Sequence, residues 1–168
     1  RCMIDQVSFF RQHPRYEYKN SEEQELEKIP DDMLFACKPR ICGFSFATKR
    51  WGELSLDQLS DVKFNNDAFD TLVLSKETKH MVRALVDHAG QTFQDIIHGK
   101  GGGCIFLLHG RPGTGKTLTA ESIAEVRHRP LYSVSVGELG TDPKSLEASL
   151  RNILEMATIW NAVVLIDE

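Results

Sequence analysis

The chain has 168 residues, of which 41% are apolar and 26% charged, and a net charge of −4. That length holds one full domain or parts of two, and without a basic excess it gives no sign of nucleic-acid binding. No stretch approaches the roughly eighteen consecutive apolar residues of a membrane helix, and Arg1-Cys2-Met3-Ile4-Asp5-Gln6 lacks the apolar core of a signal peptide.

Residues 1 to 30 join a short apolar start to the charged run Ser21-Glu22-Glu23-Gln24-Glu25-Leu26-Glu27-Lys28. With little periodicity, they read as an exposed helix or a mobile linker. Asp31 to Cys37 suits one or two helical turns, stopped by Lys38-Pro39 because the residue before proline avoids the helical region. From Arg40 the pattern turns β-like. Ile41 and Gly43-Phe44-Ser45-Phe46, then Trp51, Leu54 and Leu56, predict two short strands joined through Ala47-Thr48-Lys49-Arg50. Lys49-Arg50-Trp51 sets cations beside an aromatic ring, but three residues are too few for a nucleic-acid surface, and a turn capped by a packed Trp is the simpler reading.

Four cysteines, at 2, 37, 42 and 104, form neither a C-x-x-C pair nor a dense framework. Free thiols in a reducing intracellular compartment, cytoplasm or nucleus, are expected rather than a metal site at Cys37 and Cys42.

Val62 to Leu74 carries Phe64, Phe69, Leu72, Val73 and Leu74 among Asn and Asp, an irregular segment with buried anchors. A helix follows, capped by Ser75, with Met81, Val82, Leu85, Val86, Ala89, Phe93, Ile96 and Ile97 at three- and four-residue steps. Gly99-Lys100-Gly101-Gly102-Gly103 ends it and leads into an apolar run, Ile105 to Leu108, expected as a strand over 104–109. Within that run His109 reads as structural rather than catalytic.

Gly110-Arg111-Pro112-Gly113-Thr114-Gly115-Lys116-Thr117 fits Gly-x-x-x-x-Gly-Lys-Ser/Thr, the phosphate-binding loop of nucleoside triphosphatases. Backbone can wrap a polyphosphate closely only where side chains are absent and N–H groups turn inward, and Gly110, Gly113 and Gly115 supply that freedom. The helix expected from Leu118 to Val126 adds unpaired N–H groups and the positive end of its dipole. Lys116 is placed to reach the β and γ phosphates, and the Thr117 hydroxyl to join the coordination of Mg²⁺.

Downstream, Leu131 to Val136 alternates as a second strand. Asp142 and Pro143 form a helix start for Leu146, Leu150, Ile153, Leu154 and Ala157, up to about Trp160. Ala162-Val163-Val164-Leu165-Ile166 has the composition of a parallel strand buried on both faces, and it ends in Asp167-Glu168. Acids at the carboxyl end of such a strand face the crevice where α/β sheets bind ligands. There Asp167 is expected to help hold Mg²⁺ through its waters, and Glu168 to orient and polarise the water that attacks the γ phosphate.

The segment from Gly110 to Glu121, followed by Val163-Val164-Leu165-Ile166-Asp167-Glu168, resembles the Walker A and Walker B segments of AAA+ ATPases. Gly43-Phe44-Ser45-Phe46-Ala47-Thr48-Lys49-Arg50-Trp51, Ala68-Phe69-Asp70-Thr71-Leu72-Val73-Leu74 and Gly137-Glu138-Leu139-Gly140-Thr141-Asp142 resemble a mainly fungal group of them, in which a small domain precedes the ATPase core. The resemblance covers most of the chain from about residue 37. It implies an α/β P-loop NTPase (AAA+) fold, a three-layer α/β/α parallel sheet over 65–168, preceded by a linker and small α+β region over 1–64. It implies ATP and Mg²⁺ as ligands, with Gly110 to Leu118 around the nucleotide, Thr117 and Asp167 at the metal, and Lys116 and Glu168 as catalytic residues. It also implies a homo-oligomeric ring that remodels a macromolecular partner of unspecified identity, and it sets Asp70 to Val73 near the adenine.

Three departures stand out. Arg111 takes a position where the family usually has proline. Gly137 to Pro143 has no aromatic of the kind that protein-threading relatives place in a central pore. The family's sensors, arginine finger and helical lid lie beyond Glu168, so the sequence reads as a fragment, with a gap in its sheet where a later strand belongs. Other P-loop enzymes remain as alternatives: the guanine-reading Asn-Lys-x-Asp segment does not occur, and adjacent Asp167-Glu168 favours water activation over transfer to a small acceptor. So does a nucleotide-binding scaffold without turnover.

Overall fold

The computed structural model describes residues 1–16, 30–88, 105–140 and 142–167. The charged run Ser21 to Lys28, the second half of the helix expected after Ser75, the glycine-rich loop, Cys104, Thr141 and Glu168 lie outside the described residues. The chain divides into two compact units, Arg1–Lys63 and Phe64–Glu168.

In the first unit β1 (Cys2–Ile4), β2 (Arg40–Ser45) and β3 (Arg50–Ser55) form an antiparallel sheet in that order. The two expected strands at 40–55 are present, with Phe44 opposite Trp51 and Ser45 opposite Arg50. Lys49 turns the hairpin at φ 54°. Residues 2–12 depart from the expected exposed helix or linker. Cys2 pairs with Ser45 and Ile4 with Gly43, and α1 (Gln6–Gln12) is capped by Asp5, whose carboxylate accepts from Ser8 N at 2.9 Å. A three-residue strand is too short to show alternation, so its partner creates it. Asp31–Ala36 forms a 3₁₀ helix where helical turns were expected.

α1 covers β2, and aromatic side chains fill the seam. Phe9 and Phe44 are buried, and the Trp51 ring meets both edge-on, at 5.9 and 5.3 Å between centroids. Trp51 Nε1 donates to Gln12 Oε1 at 2.9 Å, which supplies the partner that a half-buried indole requires. Gly43 sits at the crowded centre of the sheet, where a Cβ would lie 2.6 Å from Leu54 Cδ1 and 2.8 Å from Met3 O.

The second unit opens on an irregular segment. Phe69 and Leu72 are its buried anchors, whereas Val73, expected to join them, is wholly exposed at 101%. Ser75 Oγ accepts from Thr78 N at 3.1 Å and starts α2 (Lys76–His88). Val82 is buried with Phe69 and Leu72, and Val86 packs against that cluster beside Ile123 and Val126. Met81 and Leu85, read as core, are exposed.

α3 (Lys116–Val126) follows the phosphate loop, and β4 (Leu131–Ser135), α4 (Val136–Leu139), α5 (Pro143–Ile159) and β5 (Val163–Asp167) complete the unit. β4 buries Tyr132 and Val134 and exposes Ser133, as alternation demands. α5 starts as expected, with Asp142 accepting from Ser145 N at 3.0 Å and Pro143 in its first turn. It turns Ile153, Met156, Ala157 and Trp160 inward.

β4 and β5 pair in parallel, Leu131 with Val163 through Ser135 with Asp167. Two expectations for this sheet fail. Residues 105–109 form no strand: a strand needs a ladder partner, and among the described residues this run has none, leaving Ile105 95% and Leu107 91% exposed. With a neighbour on one side only among those residues, β5 is half-buried rather than buried on both faces, and Ile166 is exposed. Among the described residues of this unit the expected three-layer arrangement is not seen, and the sheet is a parallel pair of strands.

Helices α3 and α5 stop by the same device. His128, at φ 51°, lets Arg129 N reach Ala124 O at 3.0 Å, and Asn161, also at φ 51°, lets Ala162 N reach Ala157 O at 2.8 Å. Each is a left-handed C-terminal cap that returns the chain into the next strand. His128 also anchors the start of the unit: Phe64 stacks on its ring at 4.7 Å, and Asn66 Oδ1 accepts from its Nε2 at 2.6 Å.

Candidate nucleotide-phosphate site

Gly110 to Thr117 form a tight loop that runs directly into α3. Gly113 and Gly115 take φ of 75° and 83°, a left-handed backbone that side chains disfavour. At Gly110 a Cβ would come within 2.9 Å of Thr114 Oγ1, which itself donates to Arg111 O at 2.8 Å. Lys116 folds back across the loop, its Nζ donating to Gly110 O at 2.9 Å and to Arg111 O at 3.1 Å.

α3 begins on a glycine. Gly115 offers no side-chain cap, and no acid sits in the first turn, so the N–H groups there have no competing carboxylate from their own helix. Two hydroxyls missed in the sequence brace the turn from behind: Thr119 Oγ1 donates to Gly115 O at 2.8 Å, and Ser122 Oγ to Leu118 O at 2.7 Å. Both residues are buried. A hydroxyl four residues after the helix-starting glycine, and another four after Leu118, were the signal available for them.

The far end of the sheet meets this turn. Thr117 Oγ1 donates to Asp167 Oδ2 at 3.0 Å, across 50 residues of sequence, and α3 packs against β5. The structure thus gathers the loop, Lys116, Thr117 and Asp167 in one place, with Leu118 exposed at the start of α3. Glu168 lies outside the described residues. The donor set fits Mg²⁺: a hydroxyl and a carboxylate, both hard oxygens, already side by side. Among the described residues no cluster of three His, Cys, Asp or Glu could hold a metal, and Cys2, Cys37 and Cys42 are free thiols.

The segment Asp70 to Val73 is fixed through its first residue. Asp70 O accepts from Lys79 Nζ at 2.7 Å, and its carboxylate lies 3.6 Å from Arg83. Pro112 and His109 are exposed. In this unit, burial pushes the Tyr132 hydroxyl upward, with the Glu138 charge adding to it.

Comparison with known proteins accords with this geometry. Residues 106–168 match the family described as "ATPase family associated with various cellular activities (AAA)". The chain is 34% identical over 76 residues to Lon protease of Chlamydia muridarum, covering 39% of this chain and 9% of that protein. It is 28% identical over 169 residues to the mitochondrial Lon protease homolog of Phaeodactylum tricornutum, covering 86% of this chain and 19% of that protein. No solved structure matches significantly. The family match covers the stretch that carries the phosphate loop, Thr117 and Asp167. The chain spans no more than 19% of the length of either of these relatives. No described helix is long and apolar enough to cross a membrane.

Proposed function

We propose that this chain carries the nucleotide site of a Mg²⁺-dependent AAA+ ATPase that works as a homo-oligomeric ring and remodels a macromolecular partner inside the cell, in cytoplasm or nucleus. The observation that supports it most is the Thr117–Asp167 contact of 3.0 Å, which unites two sequence motifs 50 residues apart at the mouth of the phosphate loop. In this reading the loop from Gly110 to Leu118 wraps the phosphates, and Lys116 directs its remaining donor toward the β and γ phosphates. Thr117 and Asp167 hold Mg²⁺, whose charge offsets that on the phosphates when it is bound. Glu168 takes the proton of the attacking water. Asp70 to Val73 border the adenine. The free thiols at Cys2, Cys37 and Cys42 are consistent with a reducing compartment.

The Lon relatives are named as proteases, but this reading stops at the ATPase, because the stretch from Gly137 to Pro143, which follows β4, has no aromatic residue with which to grip a polypeptide.

Two variants of the full chain test it by calorimetry and phosphate release. Lys116→Ala is expected to abolish measurable ATP binding. Glu168→Gln keeps the shape of the acid and is expected to bind ATP and Mg²⁺ while hydrolysing about 10² to 10⁴ times more slowly. Wild-type affinity in the first, or wild-type turnover in the second, would defeat the assigned role.

A further inference from the structure

Resting on the phosphate-loop reading above, we propose that Arg111 is a second phosphate-directed cation of this loop, one that biases the site toward nucleoside triphosphate over diphosphate. The argument begins with Lys116. An ammonium has three donors, and two of them go to Gly110 O and Arg111 O at 2.9 and 3.1 Å. One direction remains for a ligand that presents oxygens on several phosphates.

Arg111 stands in the same loop with its own fork of five donors, matched to phosphate oxygens. Its main chain is held from inside, because Arg111 O accepts from Lys116 Nζ, from Thr114 Oγ1 at 2.8 Å and from Thr114 N at 3.3 Å. The residue itself is exposed. Among the described residues its guanidinium has no hydrogen-bonded or ion-pair partner, which leaves its donors open to a ligand. A charge in that position interacts with the whole phosphate chain, and the triphosphate carries about one negative charge more than the diphosphate, so attraction to it is stronger. Because the site is open, salt screens the effect.

The test uses the full chain, with Mg·ATP and Mg·ADP as probes and calorimetry at low and high salt. Arg111→Ala keeps the main-chain oxygen that organises the loop. It is expected to weaken ATP about three- to tenfold at low salt, and ADP less. That loss should shrink at high salt, and Arg111→Lys should recover part of it. An Ala variant with wild-type affinities and an unchanged ATP-to-ADP ratio would overturn the inference. A loss that ignores salt and that Lys does not rescue would overturn it too, by assigning Arg111 a structural role. Lys116→Ala run alongside separates the two levels: if that variant binds ATP like wild type, the phosphate-loop reading itself has failed and this inference falls with it.

Discussion

The Thr117 hydroxyl gives its hydrogen bond to the Asp167 carboxylate, joining the first turn of α3 to the last residue of β5 at 3.0 Å. The bond holds each group beside the other, an arrangement that suits the metal role proposed for the pair. Preorganisation of this kind lowers the ordering cost of binding.

Thr117→Ala and Asp167→Asn are each expected to reduce the gain in ATP affinity that Mg²⁺ provides. About 10- to 100-fold is usual when groups that orient or hold a metal's ligands are lost. Affinity measured in EDTA should change much less. Because the two side chains touch, the double variant should cost less than the sum of the singles. Strict additivity in that cycle, or full Mg²⁺ dependence in either single variant, would contradict a shared role.

Gly43 gives a test of the first unit that does not involve nucleotide. A methyl group there meets Met3 O at 2.8 Å, a main-chain atom of β1 that cannot step aside cheaply, as well as Leu54 Cδ1 at 2.6 Å. Gly43→Ala is expected to destabilise the unit by about 1–3 kcal/mol, the usual range for overpacking. Gly52, its cross-strand partner, has nothing within 4 Å of the added atom, so Gly52→Ala serves as the near-neutral control. Equal thermal midpoints for the two variants would mean that the sheet centre is not as crowded as this geometry requires.

Tyr16 and Glu53 make the same unit sensitive at both ends of the pH scale. The Tyr16 hydroxyl donates to Glu53, which also meets Arg40 at 3.2 Å. That hydrogen bond is the main reason the tyrosine is pushed from 10.0 up to about 12, and why the carboxyl falls below its usual 4.5. For the raised tyrosine, the stabilisation is complete below pH 10 and is lost as pH climbs toward about 12. For the lowered carboxyl, it is complete above about pH 4.5 and disappears as pH falls through the folded value. Tyr16→Phe should remove the alkaline loss and shrink the acid one, leaving the Arg40 contribution. An unchanged stability profile across both limbs would show that the bond is absent in solution.

What could be read from the sequence depended on how local each signal is. The glycines and Lys116 of the loop, the Asp142-Pro143 start of α5, the Ser75 cap and the alternation in β4 are all set by near neighbours, and all appear where expected. The misses are contacts between distant residues. β1 exists because Ile4 finds Gly43, about forty residues away. Ile105 to Leu108 has strand composition but no partner among the described residues. Burial of Val82 but not of Met81 or Leu85 depends on which side of α2 meets Phe69 and Leu72, and spacing alone does not say so. His128 and Asn161 were legible in part, since both residue types tolerate a left-handed backbone.

Ile105 and Leu107, 95% and 91% exposed on a run that has no ladder partner among the described residues, bear on how the chain should behave in concentrated solution. A run of exposed aliphatic side chains with strand composition can pair with a strand from another molecule. Turbidity of this chain should therefore rise steeply with protein concentration and with temperature, by self-association that begins at residues 105–108. Lysine at 105 and 107 should delay its onset, through charge repulsion at the exposed edge.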